Sequence, residues 1–326
     1  MKSLEVVEKI EGYNLKVTNT AKIPDISKND VLIKTAACGV NRADIYQAEG
    51  NYNPPEGASD ILGLEVSGEI VEMGSDVKSL KIGDKVCALL QSGGYAEYVS
   101  VAEWRVLPIP FGYDLIEAAS LPEAVFTSYL NLFEIGGLSP SDSILIHGGA
   151  SGVGTIAIQM AKIFSSKVYV TAGSKEKCDL CEELGATSAI NYKEQDFVIE
   201  IKNINDGQNI DLIIDIVGGE YFQKNLKLLK KYGRLISIAF INGAKHEINM
   251  APLLMKNITW TGSTLRSKSE QEIYELRKSV FSVIWPMIED GRIKPVIDST
   301  YKIDNANDAH ERMQNFEHAG KMLLVF

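Results

Sequence analysis

Histidine, cysteine and tryptophan are scarce in this 326-residue chain, which holds four, four and three of them. The shortages narrow what it can be. A zinc site needs Cys, His, Asp or Glu converging in threes or fours, yet none of His147, His246, His310 and His318 stands at ligand spacing from a cysteine. Cys38, Cys87, Cys178 and Cys181 are too scattered for a disulfide framework and read as reduced thiols. Cys178-x-x-Cys181 lies inside a helix-like run, Lys175 to Leu184, with no second pair to complete a metal site, so it reads as structural. Positive charge is also short. A net charge of -10 argues against a nucleic-acid surface, which needs clustered Lys and Arg. No apolar run approaches bilayer-spanning length, and Glu5 and Glu8 sit where a secretory leader would be apolar. No membrane partner is therefore expected, and a cytoplasmic location is. Ser151 lacks the G-x-S-x-G surroundings of a hydrolase nucleophile.

What is present is organised around Ile144 to Ala157. An apolar run, Ile144-Leu145-Ile146-His147, enters a glycine-rich turn and leads into a helix-forming segment. Gly152, Gly154 and Ala157 fit G-x-G-x-x-A, in which the glycines make the tight turn and allow close approach of a pyrophosphate, and the small residue lets the helix pack on the sheet. The amides of Ser151, Gly152 and Val153 would face the phosphates at the positive end of that helix. His147, at the mouth of the turn, reads as a hydrogen-bonded support and not as a ligand. Ile156, Ala157, Met160, Ala161 and Phe164 repeat at helical spacing, and after Ser165-Ser166 the run Val168 to Ala172 reads as a second buried strand, completing a β-α-β unit.

The length suits two domains, and 45% hydrophobic with 23% charged residues places both among globular ones. The first part is strand-rich, with strands expected at 15–18, 31–35, 64–71, 85–89 and 95–101 between short glycine turns, which suggests a β-barrel-like domain. Asn41 is expected to cap a short helix through Tyr46. From about Pro122, helices at 123–132, 153–164, 175–184 and 221–229 alternate with strands at Ser143, Val168, Ser188, Leu212 and Arg234, the pattern of a doubly wound parallel sheet. A long charged helix is expected from Ser269 to Asp290, then strands at 293–297 and 321–326, a tail that does not continue the alternation and so returns to the first domain.

About 20 residues beyond the turn, where NAD-binding folds place an acid, stands Gly173-Ser174-Lys175-Glu176-Lys177. A small donor with nearby cations suits a ribose 2′-phosphate, so NADPH is expected over NADH. Lys177 is the preferred phosphate partner; the alternative is a solvated helix lysine. With no metal cluster and no nucleophile, hydride transfer remains, the cofactor supplying the chemistry.

The chain resembles the medium-chain dehydrogenase/reductase superfamily, in particular its zinc-free quinone oxidoreductase (zeta-crystallin) branch. The run Gly39 to Tyr52 and the following Pro54 to Glu65 carry the resemblance most specifically, and are similar to the tumour-suppressor-inducible quinone reductase type. Against zinc alcohol dehydrogenases, the ligand cysteine aligns with Asn41 and the ligand histidine with Leu64, and the structural-zinc lobe after Val86 is missing. The resemblance implies an α/β architecture: a GroES-like β-barrel-type catalytic domain from 1–121 and 266–326, a Rossmann dinucleotide-binding domain over 122–265, and an active site in the cleft. It implies NADPH contacts from Asn41 and Thr127 near the nicotinamide, Ser151, Gly152 and Val153 at the pyrophosphate, and Gly173, Ser174, Lys177 and Tyr192 at the adenine ribose. Phe240, Ile241, Thr264, Leu265 and Arg266 match segments flanking the nicotinamide. Family members pair through a Rossmann edge strand, here 257–261, so a homodimer is expected.

The expected activity is therefore a zinc-independent NADPH:quinone oxidoreductase, passing hydride to a quinone or related electron-poor unsaturated carbonyl. Asn41, Asp44, Tyr46 and Tyr52 would line the substrate side, Tyr52 donating to a developing oxyanion and Asn41 orienting cofactor or substrate; simple packing is the other reading of both tyrosines. An enoyl reductase and a non-catalytic NADPH-binding protein are the alternatives.

Overall fold

The computed structural model describes residues 1–10, 12–164 and 167–326, so Ser165 and Ser166, between the expected helix and the second strand, lie outside the described residues. The chain divides into two compact units, Met1–Ala124 with Lys268–Phe326, and Val125–Ser267.

The first unit opens with an antiparallel pair, β1 (Ser3–Glu8) and β2 (Tyr13–Thr18). The long strand β3 (Asp30–Val40) follows and runs into helix α1 (Arg42–Ala48). Next come β4 (Glu65–Met73), β5 (Lys85–Leu89), β6 (Tyr98–Ala102) and β7 (Val106–Pro108), and the short helix α2 (Leu115–Ala118). Val31, Ile33, Val66, Ile70, Val86 and Tyr95 meet in its core; full burial of each aliphatic side chain contributes about 1.5–3 kcal/mol.

Helix α3 (Pro122–Tyr129) widens into a π turn over Leu130–Glu134. The second unit then alternates: β8 (Ser143–His147), α4 (Gly152–Phe164), β9 (Lys167–Ala172), α5 (Lys175–Glu183), β10 (Ser188–Asn191), α6 (Phe197–Ile204), β11 (Ile210–Asp215), α7 (Tyr221–Leu228), β12 (Leu229–Ser237), α8 (Ala251–Met255) and β13 (Thr259–Gly262). Every residue of β8 is buried, as a strand covered on both faces requires. The sheet is parallel in the order β10-β9-β8-β11-β12-β13. The chain winds outward from β8 through β9 to β10, then returns to the other side of β8 at β11. That reversal opens a crevice at the strand ends, the place where doubly wound sheets bind ligands.

The remaining stretch carries α9 (Glu270–Val283), α10 (Trp285–Glu289), β14 (Ile297–Lys302), α11 (Ala306–Gln314) and β15 (Lys321–Val325). β15 inserts between β14 and β3, giving the first unit a sheet of order β14-β15-β3-β4-β5-β7, with β6 also paired to β3. Two expectations change here. The single helix 269–290 is broken at Ile284 because Pro286 has no amide to continue the ladder. The strand expected at 293–297 begins only at Ile297, beyond Pro295, and continues to Lys302.

Candidate functional site

The glycine turn between β8 and α4 is tightly specified. An added Cβ on Gly154 would lie 2.4 Å from the Gly148 carbonyl oxygen and 2.6 Å from that of Gly149; on Gly149 it would meet the Val170 side chain at 2.8 Å. Ser151 caps the helix, its Oγ accepting from the Gly154 amide at 2.9 Å. The Ser151 amide, expected among the phosphate donors, is taken up inside the turn by the Gly148 carbonyl at 2.9 Å. His147 is fully buried beneath the turn, with Nδ1 3.0 Å from Thr171 Oγ1 and Nε2 2.8 Å from Asn225 Oδ1. Burial pushes its pKa down, so a neutral ring holds the end of β8 against β9 and α7.

A small recess opens beside this turn, lined among others by Thr127, Asn131, Ser151, Val153, Ile214 and Ile238. Three residues expected to touch cofactor, Thr127, Ser151 and Val153, thus share one wall. Asn131 is fixed there by its Nδ2 donating to the Thr127 carbonyl (2.8 Å) and its Oδ1 accepting from Ser263 (2.6 Å). At the far end of β9, Ser174 caps α5 by accepting from the Lys177 amide, and Gly173 lies under Tyr192, whose hydroxyl would be 2.8 Å from any Cβ placed on the glycine. Gly173, Ser174, Lys177 and Tyr192 are therefore brought together. Phe240 is exposed and Ile241 half-buried after β12; Thr264 is exposed, and Leu265 and Arg266 are half-buried, after β13.

In the first unit, the expected substrate-side residues separate into two kinds. Tyr46 and Tyr52 are half-buried, on α1 and the loop after it. Asp44 is wholly buried: its carboxylate accepts from the Asn41 amide (2.7 Å), the Gly63 amide (3.2 Å) and the Tyr95 hydroxyl (3.1 Å). Burial outweighs these bonds and raises its pKa to about 6. It fixes the start of α1 and lines no open surface.

Asn41 precedes α1 as its N-cap, its backbone amide donating to the Asp44 carboxylate three residues on. Its Nδ2 donates to Glu65 Oε1 at 3.0 Å, and its Oδ1 accepts from Lys321 Nζ at 2.7 Å. Lys321 also pairs directly with Glu65, and the other Glu65 oxygen accepts from the Glu123 amide at 2.8 Å. Both charged side chains are buried. Strand register builds the cluster. The β3–β15 ladder pairs Val40 with Met322, so one further step sets Asn41 opposite Lys321; the β3–β4 ladder pairs Cys38 with Val66, which sets Glu65 opposite Gly39. Gly39 makes the room, since a Cβ there would stand 2.0 Å from Glu65 Oε1. Burial raises the neighbouring Cys38 thiol well above its usual pKa, leaving no reactive thiolate.

From sequence, Glu65, Lys321, Tyr95 and His310 had no expected role in the site. The available signal was a charge opening an otherwise apolar strand, as in Glu65-Val66 and Lys321-Met322-Leu323-Leu324. Among the described residues, no three His, Cys, Asp or Glu stand close enough to hold a metal ion, and all four cysteines are buried and free of disulfides. No helix among them is long and apolar enough to cross a membrane.

Residues 27–111 match the alcohol dehydrogenase GroES-like domain and residues 152–281 the zinc-binding dehydrogenase domain. These two domains on this fold make the chain a member of the medium-chain dehydrogenase/reductase superfamily. Within it, the chain is 32% identical over 327 residues to the quinone oxidoreductase of Rattus norvegicus, spanning all of this chain and 98% of that one. It is 31% identical over 318 residues to the synaptic vesicle membrane protein VAT-1 homolog of Danio rerio, of which it spans 65%. The solved quinone oxidoreductase of Escherichia coli, complexed with NADPH, superposes with a TM-score of 0.90 at 26% identity over the whole of both chains. The chain belongs to the quinone oxidoreductase branch of the superfamily.

Proposed function

We propose that the protein is an NADPH-dependent oxidoreductase that reduces a quinone or a related electron-poor unsaturated carbonyl without zinc. The observation that carries this is the recess at the β8–α4 turn, lined by Thr127, Ser151 and Val153, in a chain alike over its full length to a quinone oxidoreductase solved with NADPH. The residues fit a dinucleotide. Gly154 and Gly149 keep the turn free of Cβ atoms, and with the Ser151 amide already engaged, Gly152 and Val153 are the helix-start donors for a pyrophosphate. Ser174, Lys177 and Tyr192 gather where a ribose 2′-phosphate would lie, with no acid at the end of β9 to favour NAD.

Bound NADPH would supply hydride. The chain would hold and orient the two reactants and stabilise negative charge on the acceptor oxygen, with Asn41, Tyr46 and Tyr52 nearest the substrate in this reading. Metal-free action is supported by the donor set: the resemblance aligns Asn41 and Leu64 with the ligand positions of zinc alcohol dehydrogenases, and here a buried Lys321 ammonium bonds to Asn41 where a cation would otherwise be held. The test is an acceptor screen following NADPH oxidation with quinones, enals and enoyl thioesters. Quinone turnover with NADPH is expected; turnover confined to thioesters would make it an enoyl reductase, and tight NADPH binding without any turnover would make it a binding protein.

A further inference from the structure

Lys321 is a buried cation whose purpose the fold alone does not explain. It lies 256 residues from Glu65 in sequence, opens β15, and replaces what could have been another apolar residue in that strand. Burying an ion pair is seldom the cheapest way to stabilise a fold. Its effect on Asn41 is specific. An asparagine side chain presents an acceptor end and a donor end that look alike in shape, and the surrounding charges decide which faces where. Here an ammonium stands on one side and a carboxylate on the other. Turning the amide over would set NH2 against ammonium and carbonyl against carboxylate, so only one orientation survives.

That orientation has a consequence at the edge of the cluster. The Asn41 oxygen is held inward by Lys321, and one Nδ2 hydrogen is given to Glu65. The second Nδ2 hydrogen has no acceptor among the described residues, and Asn41 keeps 9% exposure. We propose that Lys321 is a positioning residue: pinned by Glu65, it locks the Asn41 carboxamide so that its remaining N–H is offered as a donor to the carbonyl oxygen of the acceptor. The proposal rests on the oxidoreductase reading above. Addition of hydride to the acceptor moves a π electron pair onto its carbonyl oxygen. The Asn41 N–H would bond to that oxyanion without giving up its proton, water would protonate the product, and the hydride with its electron pair is what bound NADPH would supply. The ammonium on the amide oxygen also draws electron density from the N–H and strengthens it as a donor. An acceptor that develops an oxyanion is thereby favoured over one needing a hydrogen-bond acceptor.

The test compares wild type, Lys321→Met, Asn41→Leu and the double variant with 1,4-naphthoquinone and NADPH, together with NADPH affinity by fluorescence and the Asn41 side-chain amide signal by NMR. Removing one such donor typically lowers kcat about 100-fold or more. Lys321→Met is expected to lose at least about tenfold in kcat, to keep NADPH affinity, and to shift the Asn41 amide signal. Because Lys321 acts through Asn41, the double variant should turn over no more slowly than Asn41→Leu alone. A kcat within about twofold of wild type for Lys321→Met, multiplied losses in the double variant, or an unmoved Asn41 signal each overturn the proposal. If Lys321→Met does not fold, Asn41→Asp decides: it keeps a partner for Lys321 but removes the N–H, so wild-type turnover there overturns the proposal. A wild type that reduces no quinone or enone refutes the quinone-reductase reading instead, while the NMR comparison still reports whether Lys321 sets Asn41.

Discussion

The Tyr95 hydroxyl lies 3.0 Å from His310 Nε2 and 3.1 Å from Asp44 Oδ2, so a single proton is shared between a buried base and a buried acid. The other ring nitrogen of His310 meets the Tyr13 hydroxyl at 2.6 Å. With Asp44 ionised, the donors run Tyr13 to His310 to Tyr95 to Asp44; with Asp44 protonated, all of them reverse. Burial holds His310 down at about 3, aided by the Arg42 charge, and raises Asp44 to about 6.

These shifts oppose each other in their effect on stability. Between pH 6.5 and about 3 the unfolded chain holds the His310 proton and the folded one does not, so acidification destabilises. Between pH 3.8 and about 6 the folded chain holds the Asp44 proton and the unfolded one does not, so acidification stabilises. Single substitutions should unmask each slope. Asp44→Asn is expected to lose stability as pH falls from 6.5, and His310→Gln to lose it as pH rises from about 4 to about 6, each by at most about 1.4 kcal/mol per pH unit. Urea titrations across this range would show it; variants that run parallel to wild type would refute the pairing.

Gly154→Ala should damage the turn directly, since the new methyl meets two backbone oxygens that cannot move without opening it. The expected cost is about 1–3 kcal/mol of stability, with NADPH affinity down by tenfold or more, about 1.4 kcal/mol. Chemical denaturation and fluorescence titration would measure the two; unaltered affinity in a folded variant would remove the turn from the binding site.

Lys177→Ala should lower the preference for NADPH over NADH by about tenfold while leaving NADH affinity unchanged, because only a 2′-phosphate needs the charge. Competitive titration of both dinucleotides decides it. An unchanged ratio would return Lys177 to a solvated helix lysine.

β13 is an edge of its sheet, with Thr259 exposed and Trp260 43% exposed, while the indole packs on Phe222 at 4.3 Å and bonds to Ser237. Pairing of this edge with a second copy is the proposed dimer contact. Lysine at Thr259 should block it, giving a monomer by light scattering with little change in melting temperature. A wild type already monomeric at micromolar concentration, or a variant still dimeric, would rule the contact out.

The second unit was legible because its signals are local. Apolar strands, a glycine turn and a 3.6-residue period all sit within short windows, so β8, α4 and β9 follow from residues 143–172 alone. α11 was not seen: Ala306-Asn307-Asp308-Ala309-His310-Glu311-Arg312 has too few large apolar residues to show a period, and its helix depends on packing around Ala309, His310 and Met313. The Asn41 cluster was half legible. The motif around Asn41 and Gly63 was evident, but its pairing with Lys321 depends on the register of β15 against β3, and register across such a separation leaves no trace in local pattern.

The insertion of β15 between β14 and β3 also orders events during synthesis. The second unit is one continuous stretch and can complete its sheet while translation proceeds. The first unit cannot: β3 precedes the second unit in the chain, yet one of its sheet neighbours, β15, is made only after the whole of that unit. Until then the flank of β3 that will receive β15 is an open template for unrelated strands, and Glu65 waits without its cation. Completion of the first unit thus waits for a strand made after the whole of the second.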